Sequence, residues 1–294
     1  MSIIQMFLAT PPSSLDWEML LVGGGGGTFA PSRYNFGGFI DDSAYQTVYS
    51  GGGGGGGVRT TSGTTLSGNS LYLTVGAGGA AADDSTGKGS NTYYALTSGG
   101  SAVFTSSGGG SGGSTGTDKN GASGGGGSSS ATRNFPAARS TGGTGIAGQG
   151  NNGSNTAALL YAAGGGGGYG SVGAQPVQNI GGNGGSGYNL STFAGGSNAY
   201  LGWGGGGNGI TIGNNGDPNN TTVSNAPSNS GGGARGQNDN SGFGTGATGG
   251  SGMIVIRYPG TGARATGGTI SYQTVGGTAY VIHTFTNSGV FTVW

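Results

Sequence analysis

The stretch YSGGGGGGG, running from Tyr49 to Gly57, decides how this chain is read. Seven consecutive glycines cannot bury a side chain, and glycine loses more backbone entropy on ordering than any other residue. Alone, such a run is a flexible linker. It is not alone. Glycine clusters recur at residues 23–27, 108–113 (interrupted by Ser111), 124–127, 164–168, 204–207 and 231–233. Between them lie short segments carrying Tyr, Phe, Trp and Asn, and a linker has no use for so many aromatic neighbours.

One ordered state uses this pattern. Glycine chains form left-handed threefold helices of the polyproline II type, rising about 3.1 Å per residue with no internal hydrogen bonds. All N–H and C=O groups then point outward. Without side chains, such rods pack at backbone contact and join through N–H···O and Cα–H···O bonds. Collagen needs glycine at every third position and abundant proline. Here the glycines are contiguous and there are 8 prolines, which excludes it. The expected fold is all-β: a β framework enclosing a packed polyglycine II lattice, with a small C-terminal antiparallel β unit.

Composition narrows the function. Glycine supplies 79 of 294 residues, several times its average usage of about 7%. Nine Lys and Arg balance nine Asp and Glu, so no polyanion-binding surface is expected, and nucleic acid and acidic membranes are not expected partners. A hydrophobic fraction of 32% is too low for a conventional single core. Disorder is the competing reading of a Gly/Ser-rich chain. Sparse charge, together with 13 Tyr, 10 Phe and 3 Trp, opposes it. Cysteine is absent, which removes disulfides and thiolate chemistry. The apolar stretch from Met1 to Ala9 is too short to span a bilayer and lacks the basic residues of a signal peptide, so membrane insertion is not expected. These features suit assembly in a cytoplasm followed by residence in a large complex.

Three regions follow from the chain order. Residues 1–14 carry Ile3, Ile4, Met6, Phe7 and Leu8 before Pro11-Pro12. They read either as a terminal strand packed on their own domain or as an arm that docks into a partner protein. Residues 15–259 form the glycine-rich domain. Strands are predicted at 15–22 (LDWEMLLV), 70–75 (SLYLTV) and 251–258 (SGMIVIRY), the first two running straight into glycine. AALLYAA, at 157–163, is seven residues flanked by glycine and reads as strand or rod, not helix. Residues 260–294 read as a C-terminal β unit with strands at 269–275, 279–286 and 290–294. The last two are expected to pair as a hairpin around Asn287-Ser288-Gly289.

The blocks WEMLLVGGGGG (17–27), LYLTVGAGG (71–79), GGSGMIVIRYP (249–259) and HTFTNSGVFTVW (283–294) resemble the glycine-rich domain of bacteriophage tail fibre and other virion proteins. More distantly, the chain is similar to the fibre-tip adhesins of T-even-like phages, which hold polyglycine II rods in a sandwich and present variable loops to the host. The resemblance implies a virion structural protein, a tail fibre or surface appendage component, assembled in the host cytoplasm. It implies docking to other virion proteins through the N-terminal arm and a homo-oligomer, a trimer in a fibre, whose closed symmetry shelters strand edges. A host-receptor-binding adhesin and a virion polysaccharide hydrolase are the alternatives. No catalysis, cofactor or metal is expected.

Several stretches match the spacing of chemical motifs. Residues 76–81 fit G-x-G-x-x-A after a strand, but no amphipathic helix follows to face a pyrophosphate. Residues 109–113 fit G-x-S-x-G without the flanking strand and helix of a nucleophile elbow. His283 is the sole histidine and reads as a structural strand residue. Asp41-Asp42 and Asp83-Asp84 suit calcium or glycoside cleavage in principle, and are read as solvated loop acids. Asp217-Pro218 reads as a turn. Tyr34, Phe36, Phe39, Tyr93, Tyr94, Tyr188, Phe193, Tyr200 and Trp203 have the loop setting of a binding surface. They are candidates to contact a host glycan or surface protein; the other reading makes them the apolar cover of the glycine lattice.

Overall fold

In a computed structural model of the chain, the structure describes residues 13–28, 47–81, 87–113, 117–132, 135–156, 162–222, 224–237 and 246–294. The fold is all-β, apart from one short helical turn at Ser191–Ala194 and a 3₁₀ turn at Thr117–Lys119.

The first strand, Ser14–Val22, sets the plan. Its outer half alternates exposed and buried residues, and from Met19 to Val22 every residue is buried. Alternation marks a strand covered on one face; a continuous apolar run marks one covered on both. Leu15, Trp17, Met19 and Leu21 point into the larger core, while Leu20 and Val22 join a second cluster on the other face. The strand lies in a five-stranded antiparallel sheet ordered Thr269–Val275, Thr278–Phe285, Met253–Pro259, Ser14–Val22, Val58–Leu66. A second five-stranded sheet runs Ala265–Thr266, Gly289–Val293, Ser70–Thr74, Thr92–Ala95, Phe104–Ser106. Its Leu71, Leu73, Tyr94, Phe291 and Val293 meet the first sheet's Met19, Ile254, Ile256 and Val281 in the larger core. The opposite face of the first sheet is covered by Phe193 and Leu201. A three-stranded sheet, Thr47–Tyr49, Ser129–Thr132 and Phe135–Arg139, and a two-stranded one, Tyr188–Asn189 with Tyr200–Leu201, complete the described strands.

The sheets hand their strands directly to glycine. Val22 continues into 23–27, residues 51–57 lead into Val58, and 249–252 lead into Met253. Along 23–28 the amide donors rotate among three neighbours. Gly23 and Gly26 donate to the carbonyls of Gly57 and Gly54; Gly24 and Gly27 to Ser90 and Gly87; Gly25 and Thr28 to Gly250 and Ala247. Two of these neighbours continue the adjacent strands of the first sheet. The third leads into Thr92–Ala95 of the second sheet. A β-strand would repeat its partner every second residue; a partner that returns every third residue is what a threefold helix gives.

The seven-glycine run is bonded on all sides. Gly52 and Gly55 donate to Gly164 and Gly167, Gly53 and Gly56 to Ala234 and Gly231, and Gly54 and Gly57 to Gly110 and Ser107. Its carbonyls accept from Gly126 and Ser123, from Gly26 and Gly23, and from Gly205. Buried backbone polar groups are thereby paired without a side chain taking part. The same closeness fixes the residue type. A Cβ on Gly52, Gly53 or Gly56 would lie 1.9–2.1 Å from a neighbouring carbonyl oxygen.

Two expectations need correction. The strands after Pro259 do not form a separate unit. Thr269–Val275 and Thr278–Phe285 extend the first sheet, whereas Gly289–Val293 crosses to the second and pairs with Ser70–Thr74. The hairpin is therefore closed by Gly276-Gly277, with φ of 58° and 85°, and not by Asn287-Ser288-Gly289. Two successive left-handed residues match the twist of a two-residue hairpin, and glycine takes them without strain. The strand Val58–Leu66 (VRTTSGTTL) was not expected at all; threonine's β-branching and its alternating burial account for it.

Candidate functional site

The four blocks that carry the resemblance are brought together. The first pairs with the third, Met19 opposite Ile256, and the second pairs with the last, Leu71 opposite Phe291. They form the centre of the sandwich and set the glycine runs in register with one another.

The aromatic candidates divide. Trp203 is fully buried, and Tyr94 and Phe193 nearly so. These three serve the interior and do not face a partner. Trp203 lies against Gly232, where a Cβ would sit 2.4 Å from its ring, and its backbone carbonyl accepts from Gly233. Tyr94 packs edge-on against Trp17, with ring centroids 5.8 Å apart. Phe193 stacks under the Arg257 guanidinium at 4.3 Å, with Tyr280 at 4.5 Å from the same group. Tyr93, Tyr188 and Tyr200 are half-buried. Tyr34, Phe36 and Phe39 lie outside the described residues, as do Ile3, Ile4, Met6, Phe7, Leu8, Asp41-Asp42 and Asp83-Asp84.

Among the described residues the surface also presents exposed aliphatic side chains. Val172, Val177, Ile180 and Ile210 are 48–68% exposed. Val177 and Ile180 exchange backbone bonds around Gln178-Asn179, both at positive φ, and Ile180 bridges to Thr211 beside Ile210. The sequence held a signal for this turn: two β-branched residues flanking Gln-Asn. At the open end of the sandwich, a groove of about 710 Å³ exposes Leu66, Leu96 and Val103 above Trp17, Leu71 and Tyr94. Ser14 pairs with Leu66, so the first described strand begins at the rim of this groove.

Charged groups hold elements in place. Arg257 bonds Glu18 at 2.6 Å across the first sheet and donates to the Phe193 carbonyl. Arg235 donates to the carbonyls of Gly213, Thr222 and Ile212, closing orphan acceptors where a glycine run ends; burial lowers its pKa. Asp217 accepts from the Asn219 amide and the Asn220 side chain, as a turn residue does. His283 is fully buried between Tyr258 and Phe291. Its Nδ1 donates to the Gly267 carbonyl at 2.7 Å, so Nε2 accepts from the Tyr258 hydroxyl at 3.1 Å. That hydroxyl in turn accepts from the Arg264 amide. Desolvation holds the imidazole below its ordinary pKa, with the Gly267 bond opposing.

Residues 76–81 carry no helix, and Gly76 and Gly79 bond into the lattice. Ser111, within 109–113, is buried with its amide on the Asp118 carbonyl. Among the described residues, no group of three or more His, Asp or Glu is placed to hold a metal ion, and no helix is long and apolar enough to cross a membrane.

A family model described as a glycine-rich domain matches residues 5–259. It takes in the first strand, every glycine cluster and the Met253–Pro259 strand. No curated protein matches the chain.

Proposed function

We propose that this chain, which belongs to the glycine-rich domain family, is a structural protein of a bacteriophage particle, a component of a tail fibre or surface appendage. The observation that carries the reading is the seven-glycine run with its amides and carbonyls bonded to neighbouring runs on every side. Such a lattice transmits load through backbone bonds, carries no charge, and leaves no slack peptide for a protease. Its work is mechanical, without catalysis or cofactor. Support for the virion setting comes from the four blocks, which resemble those of phage glycine-rich proteins in content and order. In this reading the protein assembles in the host cytoplasm, joins other virion proteins through residues 1–14, and associates with copies of itself.

A second reading, a host-receptor adhesin, is favoured by the exposed Val177, Ile180 and Ile210, which the paired backbone around Gln178-Asn179 and Thr211 brings together. Its ligand would be an uncharged host glycan or a surface protein. Immunogold electron microscopy separates the outcomes. Antibody raised against the whole chain is expected to label intact phage particles at a fixed location; gold confined to cell debris would reject the virion reading. Binding of the purified protein to host cells, lost in Ile180→Asn and Ile210→Asn, would move it from appendage to adhesin.

A further inference from the structure

The first sheet ends in a strand with none of the usual protection. Thr269–Val275, TISYQTV, pairs with Thr278–Phe285 on one side, and on the other its amides have no backbone partner among the described residues. Native edge strands are blunted by charge, proline, a bulge or a short length. This one has seven residues, no charge, no proline and an unbroken register. Val275 and Thr278 flank a two-residue turn, so they face each other in a bonded pair, and bonded residues alternate back along the strand. Ile270, Tyr272 and Thr274 consequently direct their N–H and C=O groups to the open side. Ile270 and Tyr272 are 38% and 56% exposed. Ser191–Gly195 approaches Gln273, Val275 and the Thr274 carbonyl at one end of the strand, and Ile270 and Tyr272 remain exposed.

We propose that this edge pairs with the same edge of a second copy of the chain, antiparallel about a twofold axis at Tyr272. That register alone uses every outward group. Tyr272 faces Tyr272 of the other copy and exchanges two bonds, and Ile270 faces Thr274 on each side of the axis. The two five-stranded sheets become one continuous sheet. The exposed Ile270 and Tyr272 side chains, which share a face, are covered by their counterparts across the axis. An uncharged strand meets itself without repulsion, and a twofold contact uses this edge in both copies at once, so the pairing closes at two copies. A trimer, by contrast, requires two different surfaces to meet head to tail.

Size-exclusion chromatography with light scattering on the full chain is expected to give a dimer at tens of micromolar. Tyr272→Lys places like charges on the axis and is expected to weaken the dimer at least tenfold without changing the thermal midpoint of the monomer. Tyr272→Cys, in a chain that has no cysteine, is expected to cross-link on mild oxidation, while Ile210→Cys stays uncross-linked. A monomeric or trimeric wild type, a Tyr272→Lys variant that remains dimeric, or equal cross-linking at both cysteines would overturn the proposal.

Discussion

At Met19 the first strand sits between Ile256 and Thr61 in its own sheet, and its side chain crosses to the second sheet. A few residues on, the same strand has become residues 23–27. Its neighbours are continuations of the same two strands, but the second sheet is now reached by the backbone itself, Gly24 donating to Ser90. Packed sheets stand roughly 10 Å apart because side chains fill the gap. Removing the side chains lets the layers come to hydrogen-bonding distance, and a third bonding direction opens. One half of the molecule is held by the hydrophobic effect, which is non-directional and tolerant of reshaping. The other is held by directional bonds between groups that cannot move aside. The lesson is that an interior requires density and satisfied polar groups, and apolar side chains are only one way of supplying them.

The contrast can be broken most severely at one glycine. Gly53→Ala places a methyl carbon 2.1 Å from the Gly26 carbonyl oxygen. Both sides are backbone, so we expect a loss above about 4 kcal/mol, at the top of the range for single substitutions, read as failure to recover folded protein. Gly262→Ala, where nothing lies within 4 Å, is expected to stay within about 0.5 kcal/mol of wild type by chemical denaturation. In the sandwich, Phe291→Ala empties a fully buried site and is expected to cost about 3–5 kcal/mol while leaving a folded protein. If Gly53→Ala proves milder than Phe291→Ala, the two interiors are not different in kind.

Calorimetry sharpens the comparison for the whole chain. Apolar exposure raises the heat capacity of unfolding and peptide exposure lowers it. The lattice exposes mostly peptide, so the change per residue is expected to fall below the ordinary value of about 12–15 cal/mol/K. An ordinary value would mean that the glycine runs contribute little buried peptide.

Acid should act on the sandwich first. Burial lowers the pKa of His283 in the folded state, whereas in the unfolded chain it protonates at its usual value. Below about pH 6.5 the unfolded chain binds the extra proton, so stability falls on acidification, by up to about 1.4 kcal/mol per pH unit, and is fully present above that pH. Protonation would also turn Nε2 into a donor facing Tyr258, whose hydroxyl already accepts from Arg264. Denaturant midpoints between pH 7.5 and 5 are expected to fall for wild type and to stay flat for His283→Asn. The smallest effect belongs to Glu18→Gln. It removes a half-exposed partner of Arg257 and should cost less than about 1 kcal/mol, less still at high salt.

Parts of this architecture were legible beforehand. The apolar runs within 15–22 and 251–258 announced strands, and contiguous glycine announced close backbone approach, because no other residue permits it. Other parts were not. Trp203, in its glycine-rich loop, had the setting of a binding residue, yet glycine neighbours leave room that a large ring fills, and it is wholly buried. Strand pairing was equally hidden. Asn287-Ser288-Gly289 is a sound turn sequence, and local chemistry allowed a hairpin there. Gly276-Gly277 won because its two left-handed residues close a tighter loop and because Phe291 reaches the core from the second sheet.

By itself, then, the order of residues determined the apolar strands at 15–22, 70–75 and 251–258, which segments lack side chains, and that charge is sparse and balanced. Tertiary structure decided which runs bond to which, where the aromatics lie and which edge is left open. The reason is physical. Side-chain type and local periodicity act within a few residues, whereas a glycine backbone offers the same donor and acceptor everywhere. Only the register imposed by the paired apolar strands can choose among its neighbours.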